Sequence, residues 1–380
     1  MRNKLKNYIF VFFCFFLLSK NVYANEPFVF NVTEIEILED GNKIYGYKGG
    51  TAISEDGSII TAENFFYNKL TNILETSGNV KYLDKVKNIV ITSDKATYLK
   101  NDEKIFTIGN SKAVSENNTI TATNLEYDKI NNIFEAKKNA VVTDFQKNTT
   151  IYAEEIKYLK NEEKAFTKGK TRALIEKKYK FNSEDVSYYR NLGDLISQKE
   201  SSIEDESGNI YKVKNFKYNI DKEVLKGKEV QVLAKVEENK IDQYFFSEGF
   251  FNFKDKSHLA KETKIKTHKG LFGYENQDPR IYGSSSFSDQ NKTVVNNAIF
   301  TSCKLNDECP PWSIKAKKII HDKINKNMVY KNAKSAMRDE FFPFFLYSLC
   351  KMYFSFSNFV SFSKNVGLNV KSLFGPKTLK

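Results

Sequence analysis

The chain has 380 residues, of which 41% are hydrophobic and 14% aromatic, with only 6 prolines; that is ample length for a large core. Its 59 Lys and Arg against 47 Asp and Glu give a net charge of +12, which favours phosphate-bearing partners, although the charges are spread along the chain as on a solvated face. Amphipathic helical patterns are scarce, so a helix bundle is excluded and an all-β protein is expected.

Residues 1–24 read as a signal peptide outside the fold. Arg2, Lys4 and Lys6 form a basic start, Ile9 to Leu18 an apolar run too short to span a bilayer, and Val22-Tyr23-Ala24 a cleavage site. Cys14 lies inside the apolar run, without a lipobox. Export argues against nucleic acid as a partner, and removing Arg2, Lys4, Lys6 and Lys20 lowers the net charge to about +8. Residues 25–48 form a lead-in in which Ile35 and Ile37 alternate with Glu34 and Glu36, as in a strand.

From about Gly49 to Val236 the chain repeats. An eight-residue stretch ends on Tyr67, Tyr98, Tyr127, Tyr158, Tyr188 and Tyr218, at intervals of 31, 29, 31, 30 and 30 residues. A fixed period of that length marks a stacked repeat architecture. Seven residues before each tyrosine stands a large apolar residue (Ile60, Ile91, Ile120, Ile151, Phe181, Tyr211). Five before comes a small or β-branched one (Ala62, Ser93, Ala122, Ala153, Ser183, Val213), and two before another apolar one (Phe65, Ala96, Leu125, Ile156, Val186, Phe216). The steps of two are strand spacing, whereas the central step of three keeps one face buried only if the strand takes an extra residue there, as in a β-bulge. After each tyrosine come turn-forming polar residues and a second apolar run. A glycine then usually follows (Gly78, Gly109, Gly169, Gly227) and after it a third run such as Val80 to Leu83, so three strands per period are expected. From periodicity alone, the repeated face serves equally well as a self-supporting core or as a ligand-holding interior.

Past Glu237 the pattern loosens. Phe245, Phe250, Phe251 and Phe253 stand where the next unit would place its apolar run, while Gly270 to Gly273 and Gly283 to Ser288 read as turns or loops. No linker interrupts the chain. The histidines, His258, His268 and His321, lack Cys or carboxylate partners at metal-ligand spacing, and no metalloprotease, nucleophile-elbow or phosphate-loop motif occurs. Glu154-Glu155, Glu162-Glu163 and Glu184-Asp185 fall on polar kinks and turns, where solvated charge is the default over a glycosidase pair. No catalytic residue, metal or cofactor is expected.

In the segment Thr301 to Ala333, Cys303 and Cys309 are close enough to bridge each other in an oxidising compartment, or to bridge outward. Pro310-Pro311 enforces extension, Trp312 opens a strand-like alternation through Ile314 and Ala316, and a second strand is expected around Met328 to Tyr330.

Cys309-Pro310-Pro311-Trp312, Ile314-x-Ala316, the Asp322 stretch and Tyr330-x-Asn332-Ala333 resemble the junction of the LPS-assembly (organic-solvent-tolerance) protein family, between its periplasmic domain and its outer-membrane barrel. The upstream repeats resemble that family's N-terminal domain, over about residues 27–333 in all. The resemblance implies an all-β, open, twisted jellyroll of repeated antiparallel strands over residues 25–300, a junction over 301–333 and a divergent tail over 334–380. It implies a periplasmic conduit, associated with the outer membrane, that receives the acyl chains of lipopolysaccharide in an apolar groove. The groove candidates are Ile60, Ala62, Phe65, Tyr67, Ile91, Tyr98, Ile120, Ala122, Leu125, Tyr127, Ile151, Ala153, Ile156, Tyr158, Phe181, Val186 and Tyr188, with Ala62, Ser93, Ala122, Ala153 and Ser183 as the small flanking positions. Docking onto a preceding periplasmic bridge protein is expected by strand addition near Ile35 and Ile37, and an outer-membrane lipoprotein plug is implied if a barrel exists. The sequence departs from the family after Ala333, where a frameshift or incomplete frame would account for the missing barrel; Phe354 and Phe356 alternate with Ser355 and Ser357 as in one barrel strand, which cannot close alone. Two alternatives stand beside this reading. One is a free-standing carrier of the same fold. The other is an extracellular β-solenoid, either adhesin or polysaccharide-acting, whose rungs would be parallel.

Overall fold

The computed structural model describes residues 26–234, 240–269, 277–305, 312–325 and 327–337. The expected signal peptide, the Gly270 to Gly273 turn, Cys309-Pro310-Pro311 and the tail beyond residue 337 lie outside them.

The described residues form two compact units, unit 1 up to Ile105 and unit 2 from Phe106. Unit 1 contains β1 (Phe28–Leu38), β2 (Lys43–Ser54), β3 (Ile59–Ala62), β4 (Asn64–Asn68), β5 (Ile73–Asp84) and β6 (Ile89–Leu99), and β7 (Lys104–Val114) starts at its end. Unit 2 continues with β8 (Asn118–Asp128), β9 (Ile133–Asp144), β10 (Thr149–Leu159), β11 (Lys164–Ile175), β12 (Tyr179–Glu184), β13 (Ser187–Tyr189), β14 (Asp194–Ser197), β15 (Ser201–Glu204), β16 (Ile210–Asn219) and β17 (Val224–Ala234). Its last strands are β18 (Asp242–Asn252), β19 (Ser257–Lys266), β20 (Arg280–Ser288), β21 (Lys292–Thr301), β22 (Trp312–Asp322) and β23 (Asn327–Met337).

Within each unit the strands pair antiparallel with their sequence neighbours. The parallel solenoid is thereby excluded for the described residues, and the all-β jellyroll-like repeat fold is observed. β3 and β4 are two halves of one broken strand, both lying between β2 and β5, and β12 and β13 break in the same way.

Each period holds two long strands, where three were expected. The second and third apolar runs are one strand folded over a kink. In β5 the kink is Gly78-Asn79, with φ of +80° and +47°, and the register against β6 shifts between Ser77 and Val80. Gly169 and Gly227 likewise lie inside β11 and β17. A Cβ on Gly78 would come within 2.7 Å of Glu63 Cβ, so glycine meets both a left-handed backbone and a close approach. The extra residue expected on the tyrosine strand is also found, since the register of β10 shifts between Ala153 and Glu155 against both neighbours. Kinks at the same level in adjacent strands keep the ladder in phase.

A left-handed residue stands five positions after every repeat tyrosine: Asn72, Glu103, Asn132, Glu163, Gly193 and Glu223, with φ between +50° and +67°. In three repeats the tyrosine hydroxyl donates to that same turn residue: Tyr67 to Asn72 Oδ1 (2.8 Å), Tyr98 to the Glu103 carboxylate and Tyr127 to Asn132 Oδ1 (3.2 Å). Asn72 and Asn132 then donate to Asn101 and Asn161 of the next turn, at 2.9 and 2.7 Å. In these three repeats the network gives a physical reason for tyrosine, because phenylalanine would fill the core and leave the turn unpinned.

Two further expectations are revised. Gly283 to Ser288 belongs to β20 and is no loop; Ser286 and Ser288 are buried, Phe287 points out, and a Cβ on Gly283 would lie 2.3 Å from Val295 Cγ1. Small polar residues here let strands approach closely. The junction segment supplies β22 and β23, which extend the antiparallel ladder of unit 2 as expected from Trp312 and Met328 to Tyr330.

Candidate functional site

Every groove candidate proves to be an inward, buried residue. In unit 1 these are Ile60, Ala62, Phe65, Tyr67, Ile91 and Tyr98; in unit 2 they are Ile120, Ala122, Leu125, Tyr127, Ile151, Ala153, Ile156, Tyr158, Phe181, Val186 and Tyr188. The frame of seven, five, two and zero residues before the tyrosine therefore predicts the core face, with Ala96 and Tyr211 half-buried. These side chains touch one another. In unit 1 the Phe28 ring lies 5.2 Å from Tyr67 and 5.6 Å from Tyr98, and in unit 2 Tyr127 stacks on Phe134 at 4.5 Å.

Open space occurs elsewhere, between inward residues of the later strands of unit 2. There the frame loosens and inward positions become small. One cross-strand row reads Gly249, Ala260, Ser286, Val295, Ile319 and Tyr330, and another contains Ala298, Ala316 and Ala333. A cavity of about 590 Å³ opens in this part of unit 2, within the range of small-molecule sites. Tyr211, Phe251 and Phe253 form one wall, with Tyr211 rings at 5.5 and 4.8 Å from the two phenylalanines. Phe246, Val295, Phe300, Ile319 and Met328 line the rest. Sequence reasoning missed most of these residues, and the available signal was the loosening of the frame past Glu237, with Phe251 and Phe253 in its apolar run.

Polar groups meet the cavity at two places. At one, His258 lies 5.3 Å from the Phe246 ring and 5.6 Å from Phe251, and Lys323 Nζ donates to Ser288 Oγ (2.9 Å) and Asp289 O (2.5 Å). Burial, aided by the Lys323 charge, pushes the His258 pKa down to about 4. Burial also lowers the Lys323 pKa, with Asp289 opposing. Ser286 Oγ sits 3.4 Å from His258 Nε2, but a neutral imidazole that weakly basic is a poor activator of a hydroxyl. At the other place, Asp242 accepts from His268 N and contacts Nδ1 at 2.9 and 2.8 Å, and Arg280 NH1 donates to the carbonyls of Asp278 and Cys303 at 3.0 and 2.5 Å. Burial raises the Tyr244 pKa, with Asp242 adding to it, so the phenol stays protonated. An aromatic chamber with a few fixed polar groups has the chemistry to take up apolar groups by burial.

Ile35 and Ile37 lie in β1, which among the described residues pairs only with β2. They oppose Gly46 and the buried Ile44 and so face the core side, yet are 53% and 57% exposed. Cys303 is buried with Sγ 3.7 Å from Trp312 O; its candidate partner Cys309 is outside the described residues. The acidic pairs serve local structure: Glu155 contacts Lys168 at 3.2 Å, Glu162 contacts Lys164 at 2.8 Å, and Asp185 accepts from Gly169 N at 2.9 Å. No helix among the described residues is long and apolar enough to cross a membrane.

No family model matches the chain, and no curated protein matches it. Among solved structures, it is similar to the crystal structure of LptH, the LptA-homologous periplasmic component of the lipopolysaccharide transport device from Pseudomonas aeruginosa. The match has 14% identity and a TM-score of 0.28, and covers 30% of this chain and 82% of that one.

Proposed function

We propose that the chain is a lipopolysaccharide-binding conduit of the periplasm, working with the outer membrane and performing no catalytic step. The observation that carries this reading is the aromatic cavity between inward strand faces of unit 2, with β22 and β23, which contain the junction-like residues Trp312, Ile314, Ala316, Tyr330 and Ala333, forming part of its surround. Burial of an acyl chain is favourable by about 0.8 kcal/mol per CH₂, which needs only apolar walls and a passage. The groove candidates along the earlier strands would be the seam that must part for a chain to move farther. A periplasmic bridge protein would add its strand to β1, where Ile35 and Ile37 await cover, and a lipoprotein plug would join where a barrel follows.

The test is photo-crosslinking in the periplasm with a probe at Phe246 or Phe300, at Ala122 or Tyr127, and at exposed Glu154, blotting for lipopolysaccharide. Adducts at the cavity positions and none at Glu154 are expected. Adducts at Ala122 or Tyr127 in addition would mean that the closed strands open, and none at any inward position of a folded chain would overturn the reading.

A further inference from the structure

The registers of β18 to β23 align three outward rows, each crossing all six strands. The first is wholly apolar: Phe250, Leu259, Phe287, Val294, Ile320 and Val329. The second reads Glu248, Lys261, Ser285, Asn296, Lys318 and Lys331, and the third Phe245, Lys264, Tyr282, Ile299, Lys315 and Lys334. Their outward direction follows from the alternation, because Gly249, Ala260, Ser286, Val295, Ile319 and Tyr330 beside the first two rows, and Phe246, Ile265, Ala298 and Ala316 beside the third, are buried. Leu259 is 60% exposed, and Ile324, at the tip of the β22–β23 turn beside the apolar row, is 69% exposed. The second row sets three lysines and one carboxylate beside this continuous apolar line, the third row adds three lysines beyond them, and Lys292, Asp322 and Asn327 flank its other side, on a face that should alternate toward polar residues.

We propose that this face is a docking surface for an anionic lipid bilayer. A row of large apolar side chains seats at the level of the acyl chains, while lysines on their long stems reach anionic headgroups. Lys264 already lies over the Phe245 and Tyr282 rings, at 5.8 and 5.4 Å, so this cation of the third row rests on an aromatic floor. A second copy of the chain docked face to face would set lysine rows against lysine rows, which disfavours self-association. The proposal concerns the outside of the sheet and is independent of what the cavity holds.

The test uses the full chain in sedimentation with vesicles of phosphatidylglycerol and phosphatidylcholine, or of phosphatidylcholine alone. Binding is expected to the anionic vesicles, at least tenfold weaker at 0.5 M salt, where the Debye length is roughly 4 Å. Leu259→Ser with Phe287→Ser, and separately Lys264→Glu with Lys318→Glu, should each weaken it at least tenfold, with circular dichroism unchanged because all four side chains point outward. Equal binding of the variants and the parent, or no binding by the parent, would overturn the proposal. A parent that self-associates through this face, with the apolar variant monomeric and vesicle binding unaltered, would assign the face to a second copy instead. Crosslinking inside the cavity should be unaffected by either variant, which separates this outcome from that of the conduit reading.

Discussion

Arg190 Nε donates to Asp144 Oδ2 at 2.7 Å across 46 residues of sequence. Asp144, at the end of β9, is buried, and the same carboxylate oxygen accepts from Tyr188 OH at 3.3 Å, while Arg190 NH1 reaches Glu163 at 3.1 Å. Burial works against the charge of Arg190, but the Asp144 hydrogen bond and charge outweigh it and its pKa is raised.

Asp144→Ala should therefore destabilise unit 2 by about 3 kcal/mol, because a largely buried guanidinium loses its main partner. Asp144→Leu with Arg190→Met should recover most of that loss. Urea unfolding of the single and double variants measures the coupling, and additive losses would refute the clamp.

Two repeat tyrosines should respond in opposite ways to the loss of their hydroxyl. Tyr127→Phe removes the bond to Asn132 and should cost about 1 kcal/mol. Tyr218 OH is buried with no hydrogen-bond partner among the described residues, so Tyr218→Phe should be neutral or stabilising. Thermal unfolding of the two variants in parallel decides it.

Stability should fall in acid partly through His258. Its folded pKa of about 4 lies below its unfolded value near 6.5, so the unfolded chain binds the proton more tightly, and stability is lost as pH falls from about 6.5 to 4, flattening below. The contribution is about 3 kcal/mol at most. His258→Phe should remove that part of the slope, read as the difference between the two proteins' unfolding free energies across pH 7.5 to 4; parallel curves would contradict it.

Gly78→Ala should lower stability by about 2 kcal/mol, since φ of +80° disfavours a side chain and the new Cβ would press on Glu63. At Gly169, where φ is +74° but nothing lies within 4 Å, the same change should cost about 1 kcal/mol. Chemical denaturation gives both values, and equal losses would mean that crowding at Gly78 is relieved.

Ile37→Lys should leave stability within about 0.5 kcal/mol, since the side chain is largely exposed, while weakening capture of a strand-donating partner at β1 by tenfold or more. Disulfide trapping at that edge, compared between the parent and the variant, measures it.

The core face was legible because bulk recurs at fixed offsets from each tyrosine, and residues such as Phe65, Leu125 and Phe216 fall on it without exception. The strand count was not, since Gly78 reads as a turn when only local chemistry is considered; the tertiary ladder on both sides of β5 keeps the chain extended through the kink. Gly283 to Ser288 misled for a related reason: a serine-rich run has turn composition, and only Val295 packed against Gly283 shows why small residues are needed in a strand. The cavity was hidden because its walls are gathered from residues far apart in sequence, such as Tyr179, Tyr211, Phe251, Phe300 and Met328, which share no fixed offset.

The left-handed residue five places after each tyrosine sets the same turn in every period, and in three of the six the tyrosine of that period holds it. Deleting a whole period, such as residues 128–158, would leave Tyr127 followed by Leu159, just as Leu159 now follows Tyr158, with the inward frame still in step. The number of periods is therefore a dimension that duplication or loss can change in increments of about 30 residues, as links are added to a chain, without redesigning the neighbours.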